Sequence, residues 1–425
     1  MSAPRRPRRP IETRRSAAAV IATLAAVMGW LPGVAAAPPA ESPVTIGVSL
    51  ALTGPDARWG APMLRGVELA VEDLNRGGGA GGHPLRTVVL DSAGPGLEGI
   101  SRWRGMNNYE RLIADPSVVA VVGPQTSGEG RAVAPLLSRA ELATITPSAT
   151  TFDVTDPSTR DRFRPGGRAV YFRTVGTGLA QGPAMARFAH DRLGVRRVVL
   201  VDDGTEFGVR IVETFARQAD DLGITVLARK QIPWTEGDYR PRLRELKALN
   251  PQALYFAGNQ PVGVKVARQV AEILPSVHRL AAETLYDRAF PIQAGAAADG
   301  WHVSNVAPDL AADAATAAWA ERFQRRFGEA PSSYSLTAYT AVTVIGDAVA
   351  RLAKRGRPIT RAGLREAVEA TRLPDSVQGP VSFDANGDLA HPVVSIYQVK
   401  SGAFVYVETV TGPAAARMPA PRARP

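Results

Sequence analysis

The chain has 425 residues, 45% of them apolar and 21% charged, and no cysteine. A chain of this size holds a core for roughly two or three domains without covalent staples, and disulfides, thiolate metal sites and cysteine nucleophiles are excluded. The net charge of +10 sits on the ends: residues 1–37 carry six arginines against one acid and the residues after Gly412 three arginines and no acid, which leaves +2 on the stretch between. A body so nearly neutral has no strong field for nucleic acid, and no nucleic-acid partner is expected.

Residues 1–37 read as an export signal: an arginine-rich start, an apolar run of 15 residues (17–31), then Pro32, Gly33 and small residues. The run is shorter than the roughly 20 apolar residues of a membrane span. Thr13-Arg14-Arg15 is similar to a twin-arginine signal, and cleavage is expected near Ala36 or Ala40. Without a lipobox cysteine the mature chain carries no lipid anchor, which points to the periplasm.

After the leader, short β-branched runs alternate with amphipathic stretches. Strands are expected at 45–50, 87–91, 118–122 and 143–146, with helices at 67–76 and 131–141. A second series starts after Tyr171-Phe172-Arg173: helix 182–193, strand 198–201, helix 208–222, then 224–228, 239–249, 253–257 and 262–274. Strands at 280–283 and 301–306 follow, then long helices at 314–327 and 332–353. Three strand-like pieces, 381–383, 393–398 and 404–408, close the body. Residues 412–425, rich in Pro, Ala and Arg, read as a disordered tail. The fold class is α/β, with two doubly wound parallel sheets, and ligands of such sheets lie beyond the carboxyl ends of the strands.

The segments at those ends hold the candidates. Ser127 lies where a strand ends and a helix begins, so free N–H groups, the helix dipole and a hydroxyl converge there; the site suits a carboxylate, or Ser127 simply caps the helix. Ser148 and Thr150 follow the next strand, offering hydroxyls and peptide groups to a zwitterion or forming an ordinary turn. Glu283 ends the 280–282 run and is a candidate partner for an ammonium, or a surface acid. Trp59, Phe207, Tyr255, Tyr286 and Tyr334 can wall an apolar pocket or belong to the core. No catalytic constellation appears. The five histidines are scattered without metal-ligand spacing, no nucleophile elbow or P-loop occurs, and Gly77–Gly82, although it fits G-x-G-x-x-G, follows a helix and precedes a strand. The chain is therefore not read as an enzyme, and no metal or cofactor is expected.

The motifs TIGVSLALTGPDARWG, GVELAVEDLNRGGG, VVGPQTSGEG, TITPSATT, YFRTVGTGLAQGP, VLVDDGTEFG, LYFAGNQP, AAETLYDR and QGPVSFDANGDL occur in this order. Together they resemble the periplasmic leucine/isoleucine/valine-binding protein family, the receptors of branched-chain amino-acid ABC importers, from about Val44 to Glu408. The resemblance implies two lobes joined by three hinge crossings: residues 43–174 plus 307–378, and 175–306 plus 379–411. It implies closure near Arg173–Gly176, Val306-Ala307 and Gln378-Gly379. By the same resemblance, Ser127 and Thr150 hold the ligand carboxylate, the Ser148 carbonyl and the Thr150 hydroxyl meet its ammonium, Glu283 pairs with that ammonium, and Trp59 lines the side-chain pocket. The sequence departs from the family pattern at Phe207, where tyrosine is common, and at Asn259 and Gln260, where leucine receptors carry tyrosines; the family disulfide is also absent. A more polar or differently shaped amino acid, or an amide, then enters the range of ligands, with Asn259 as a contact. The expected partners are that ligand and the permease subunits of an importer, with the receptor a monomer; the alternative is a sensor of the same fold.

Overall fold

The computed structural model describes residues 42–54, 56–93, 102–233 and 235–411. The expected export signal and C-terminal tail lie outside the described residues. The first series runs β1 (Val44–Leu50), α1 (Ala57–Arg76), β2 (Leu85–Asp91), α2 (Arg102–Ala114), β3 (Val118–Val122), α3 (Ser127–Arg139), β4 (Ala143–Thr146), α4 (Arg160–Phe163) and β5 (Tyr171–Arg173). The second runs α5 (Gln181–Asp191), β6 (Arg197–Asp202), α6 (Glu206–Asp221), β7 (Thr225–Gln231), α7 (Arg240–Ala248), β8 (Ala253–Ala257), α8 (Gln260–Ile273), β9 (His278–Ala281), α9 (Ala289–Ala294) and β10 (Trp301–Asn305). Then come α10 (Ala314–Phe327), α11 (Ser333–Lys354), α12 (Arg361–Glu369), β11 (Arg372–Leu373), β12 (Val381–Ser382), β13 (Val393–Lys400) and β14 (Ala403–Thr411).

The first sheet is all parallel, in the order β2-β1-β3-β4-β5. The parallel part of the second repeats that pattern as β7-β6-β8-β9-β10, and β13 and β14 extend it as antiparallel strands. Strands buried on both faces read as unbroken apolar runs, and β3 (VVAVV) and β8 (ALYFA) are buried throughout. Helix α11 returns to the first sheet and buries Val342, Ile345, Val349 and Leu352 in its core. Each such side chain contributes about 1.5–3 kcal/mol. Ser332 and Ser335 close a capping box at its start.

Helix α1 begins ten residues before the expected helix. Its first turns pass so close to the end of β1 that a Cβ on Gly60 would stand 1.8 Å from the Ala51 carbonyl oxygen. The other departure concerns the third crossing. Val381, Phe383 and Leu389 pack in the first lobe's core, with Phe383 tilted on Phe172 at 5.1 Å. Residues 381–389, expected with the second lobe, thus pack with the first. The chain passes over only before β13.

Two buried polar groups fix the first lobe. Arg173, without exposed surface, pairs with Asp388 and donates to the Ala149 carbonyl at 2.9 Å and to the Thr155 hydroxyl at 2.6 Å. It thereby ties β5, the loop after β4 and the 381–389 segment together. Glu129 on α3 is 1% exposed. Its carboxylate accepts from Ser49 Oγ and the Gln125 N–H, both at 3.3 Å. Burial nevertheless pushes its pKa up to about 8.

Replacing Arg173 with Met is expected to cost on the order of 3 kcal/mol, because Asp388 and two acceptors lose their donor; urea unfolding measures it, and an unchanged midpoint contradicts the role. The Glu129 pKa is raised on folding, so its contribution to stability is fully present below pH 4.5 and is lost as pH rises through about 8. Glu129→Gln should flatten that part of the pH profile in thermal melts between pH 5 and 9; superimposable profiles would exclude Glu129 as the source.

Candidate functional site

In both sheets the strand order reverses beside the first strand of the series, between β1 and β3 and between β6 and β8. The carboxyl ends there open into a crevice. The loops at these ends are held by buried side chains. Gln125 Oε1 accepts the Ala51 N–H at 2.9 Å, which joins the loops after β1 and β3. Asp203, 3% exposed, accepts from Thr205 Oγ1 at 2.5 Å and from the Asn259 N–H at 2.7 Å, which joins the loops after β6 and β8. Thr126 and Thr205 cap α3 and α6.

Ser127 is the first residue of α3, one place after the cap. Its hydroxyl has no protein partner among the described residues and remains available at the positive end of the helix. Ser148 turns its hydroxyl back to the Gln125 carbonyl at 2.7 Å. Thr150 donates its hydroxyl to Glu283 Oε1 at 2.8 Å, a bond between the two lobes. Its carbonyl accepts the Gly178 N–H, also at 2.8 Å. Phe207, half-buried, packs in the second lobe's core with its ring near Gly178. Trp59, in the first turn of α1, meets Tyr334 edge-on at 6.2 Å, and Arg58 lies over its ring at 5.6 Å.

Glu283 opens the loop after β9. Its N–H donates to Gln181 Oε1 at 2.7 Å, and Gln181 also accepts from Ser304 Oγ at 2.7 Å. The second carboxyl oxygen, Oε2, is shut off from solvent and has no hydrogen-bond partner among the described residues. Burial raises the Glu283 pKa to about 7, and the side chains of Thr150 and Gln181 offset this only in part. Tyr255 is fully buried and stacked on Phe215 at 4.6 Å. Burial and the nearby Glu283 charge both raise the pKa of its hydroxyl, which has no hydrogen-bond partner among the described residues. The same two causes act on Tyr334. A second contact between the lobes, Arg58 to Asp287 at 3.1 Å, lies on the exposed side; such a pair contributes about 0–1 kcal/mol.

The structure therefore brings Thr150, Glu283, Tyr255 and Tyr334 together. It leaves Asn259 exposed at the start of α8, where its side chain makes no cap bond. Tyr286 turns away from Glu283 onto Tyr397 at 4.3 Å and Phe404 at 4.9 Å. Gln181, the backbone support of Glu283, was not singled out from the sequence. It lies inside the quoted motif GTGLAQGP, where no charge or periodicity marks it.

The family model for the periplasmic binding protein matches residues 43–403. A Leu/Ile/Val-binding protein of Rhizobium johnstonii is 27% identical over 379 residues, covering 88% of this chain and 96% of its own. Two solved structures show the same fold. A substrate-binding protein of an ABC transporter from Desulfitobacterium hafniense, in complex with Leu, superposes with a TM-score of 0.70 at 22% identity and covers 86% of this chain and 100% of its own. A solute-binding protein of R. palustris in complex with benzoate gives 0.63 at 21% identity, covering 86% and 96%. A match along this much of the chain, on a fold of two lobes with a sheltered carboxyl between them, establishes that the chain belongs to the periplasmic binding protein family.

Proposed function

We propose that the protein is an extracytoplasmic receptor that captures an α-amino acid, or a closely related small molecule, between its lobes and delivers it to an ABC importer. The observation that carries this reading is the Glu283 carboxyl, closed in between the lobes with Oε2 unpaired. A ligand ammonium would supply both the missing donor and the missing charge. The free N-terminus of α3 and the Ser127 hydroxyl suit the ligand carboxylate. Thr150, joined to Glu283 across the cleft, and the peptide group of Ser148 complete the anchor. Trp59 and Phe207 flank the ligand side chain, and Asn259 stands at the edge.

Closure is a hinge motion of the two lobes. The crossings that would bend run side by side: the Gly176 N–H donates to the Val306 carbonyl at 2.9 Å, and Gln378 Nε2 to the Thr174 carbonyl at 3.0 Å. The relative from Rhizobium johnstonii and the leucine-bound structure support an amino-acid ligand, and an extracytoplasmic setting goes with the family. Export through residues 1–37, a monomeric receptor and the lack of catalytic activity complete the reading.

A thermal-shift screen of the protein against amino acids, amides and small carboxylates is expected to give its largest upward shifts with amino acids, since a ligand bound only to the folded state raises its melting point. Glu283→Gln should then weaken the best ligand at least tenfold by calorimetry, within the roughly 2–5 kcal/mol that loss of a buried charge partner costs. Unchanged affinity would sink the ammonium role.

A further inference from the structure

Glu129 is an acid that the amino-acid anchor does not use, yet it lies in the same turn of α3 as Ser127. Residues two apart on a helix face different ways. Ser127 is half-buried at the start of the helix, whereas Glu129 is 1% exposed and turned into the first lobe. The backbone of α2 closes on it so tightly that a Cβ on Gly105 would stand 2.7 Å from Oε1. Ser49 meets it from β1, Tyr109 from α2 and Tyr171 from β5. Burial pushes the pKa of both phenols up, so they bring no charge. No basic side chain is among the groups that act on the carboxyl. Arg173 lies over the Tyr171 ring at 5.2 Å but pairs with Asp388, and Arg131 on α3 pairs with Asp153 at 2.6 Å.

The geometry is that of a neutral acid. An ionised carboxylate draws its donors to about 2.5–2.9 Å. The Ser49 hydroxyl and the Gln125 N–H both stand at 3.3 Å. The group that Glu129 holds is also the hub of the first lobe's loops. Gln125 accepts the Ala51 N–H at 2.9 Å, donates to the Asp56 carbonyl at 3.4 Å, and its own carbonyl accepts the Ser148 hydroxyl at 2.7 Å. The loops after β1, β3 and β4 therefore all meet at the residue that Glu129 fixes. Its charge state matters to the same site. A carboxylate in the first turn of a helix takes up the positive end of the dipole, and a second carboxylate brought to that end is then repelled.

We propose that Glu129 is a positioning residue for the ligand carboxylate that works in its protonated form: it fixes Gln125 and leaves the positive end of α3 to the ligand, so that capture requires a proton on Glu129. The proposal rests on the amino-acid reading, in which the ligand carboxylate lies at the start of α3. A carboxylate bound there raises the Glu129 pKa further, so affinity is full below about pH 8 and falls above it.

Calorimetry between pH 6.5 and 9.5 tests it, with L-leucine, L-phenylalanine and L-glutamine as probes and the tightest of them carried forward. The ligand ammonium and Glu283 titrate alike in every variant at Glu129 or Ser49, so the difference between profiles isolates Glu129. From pH 7 to pH 9 the unaltered protein should lose about three- to tenfold more affinity than Glu129→Gln, whose amide stands in for the neutral acid. Ser49→Ala removes a donor that favours the charged form. It should move the loss to higher pH, and it decides the matter if Glu129→Gln fails to fold. Superimposable profiles of the unaltered protein and the folded variants, with binding still weakened by Glu283→Gln, overturn this proposal and leave the amino-acid reading standing. Binding by none of the probes, or binding indifferent to Glu283→Gln, overturns both.

Discussion

The hydrogen bond from Thr150 to Glu283 is the interaction on which the functional reading depends. It spans the two lobes at 2.8 Å, and it holds a carboxyl where water cannot reach its second oxygen. An ionised carboxylate in such a place is costly unless a cation meets it. Without one, burial keeps the group partly protonated at neutral pH. On the proposed reading the ligand supplies the cation that this carboxyl lacks among the described residues. Gln181 fixes the backbone of Glu283 from below, so the carboxyl is placed by the second lobe and met by the first.

Everything else positions those two residues. Both sheets have the same strand order, and their reversal points open toward the same cleft. Buried amides and acids, not the sheets alone, set the loops. Gln125 and Asp203 each join two neighbouring strand ends. Arg173 holds the carbonyl next to Thr150 and anchors the returning chain at Asp388. These tethers lie within each lobe, whereas few side-chain pairs among the described residues join the two (Thr150–Glu283, the exposed Arg58–Asp287 pair, and Tyr397–Asp309 beside a crossing), so each lobe is stiffer than the contact between them. That is the balance a binding protein needs if ligand energy is to shift it between open and closed.

The framework was legible in the sequence because buried parallel strands leave uninterrupted apolar runs. VVAVV, VVLV and ALYF mark β3, β6 and β8 without ambiguity, and the positions of Thr150 and Glu283 follow from the strands before them. Less was legible where local signals conflict with tertiary packing. Gly60 and Pro62 disguise the first turns of α1, although Gly60 is there because the helix must approach Ala51. The 381–389 segment looks like any edge strand, and only the contact of Phe383 with Phe172 assigns it to the first lobe. The antiparallel setting of β13 and β14 is a matter of pairing, which no single strand encodes. At the site, Asn259 stands where the family pattern places a ligand contact, yet it is exposed. Gln181 carries no charge and no periodic signature, so its importance appears only when burial and partners are known.

The most direct test of the account is the proton balance of amino-acid binding. At pH 7 the unliganded Glu283, whose pKa burial raises to about 7, is partly protonated. Pairing with a ligand ammonium lowers that pKa and expels the proton. Calorimetry of the best-binding amino acid in buffers of different ionisation enthalpy should show net proton release at pH 7, fading toward pH 9 and absent in Glu283→Gln. A binding enthalpy independent of the buffer in the unaltered protein would contradict the central role given to Glu283.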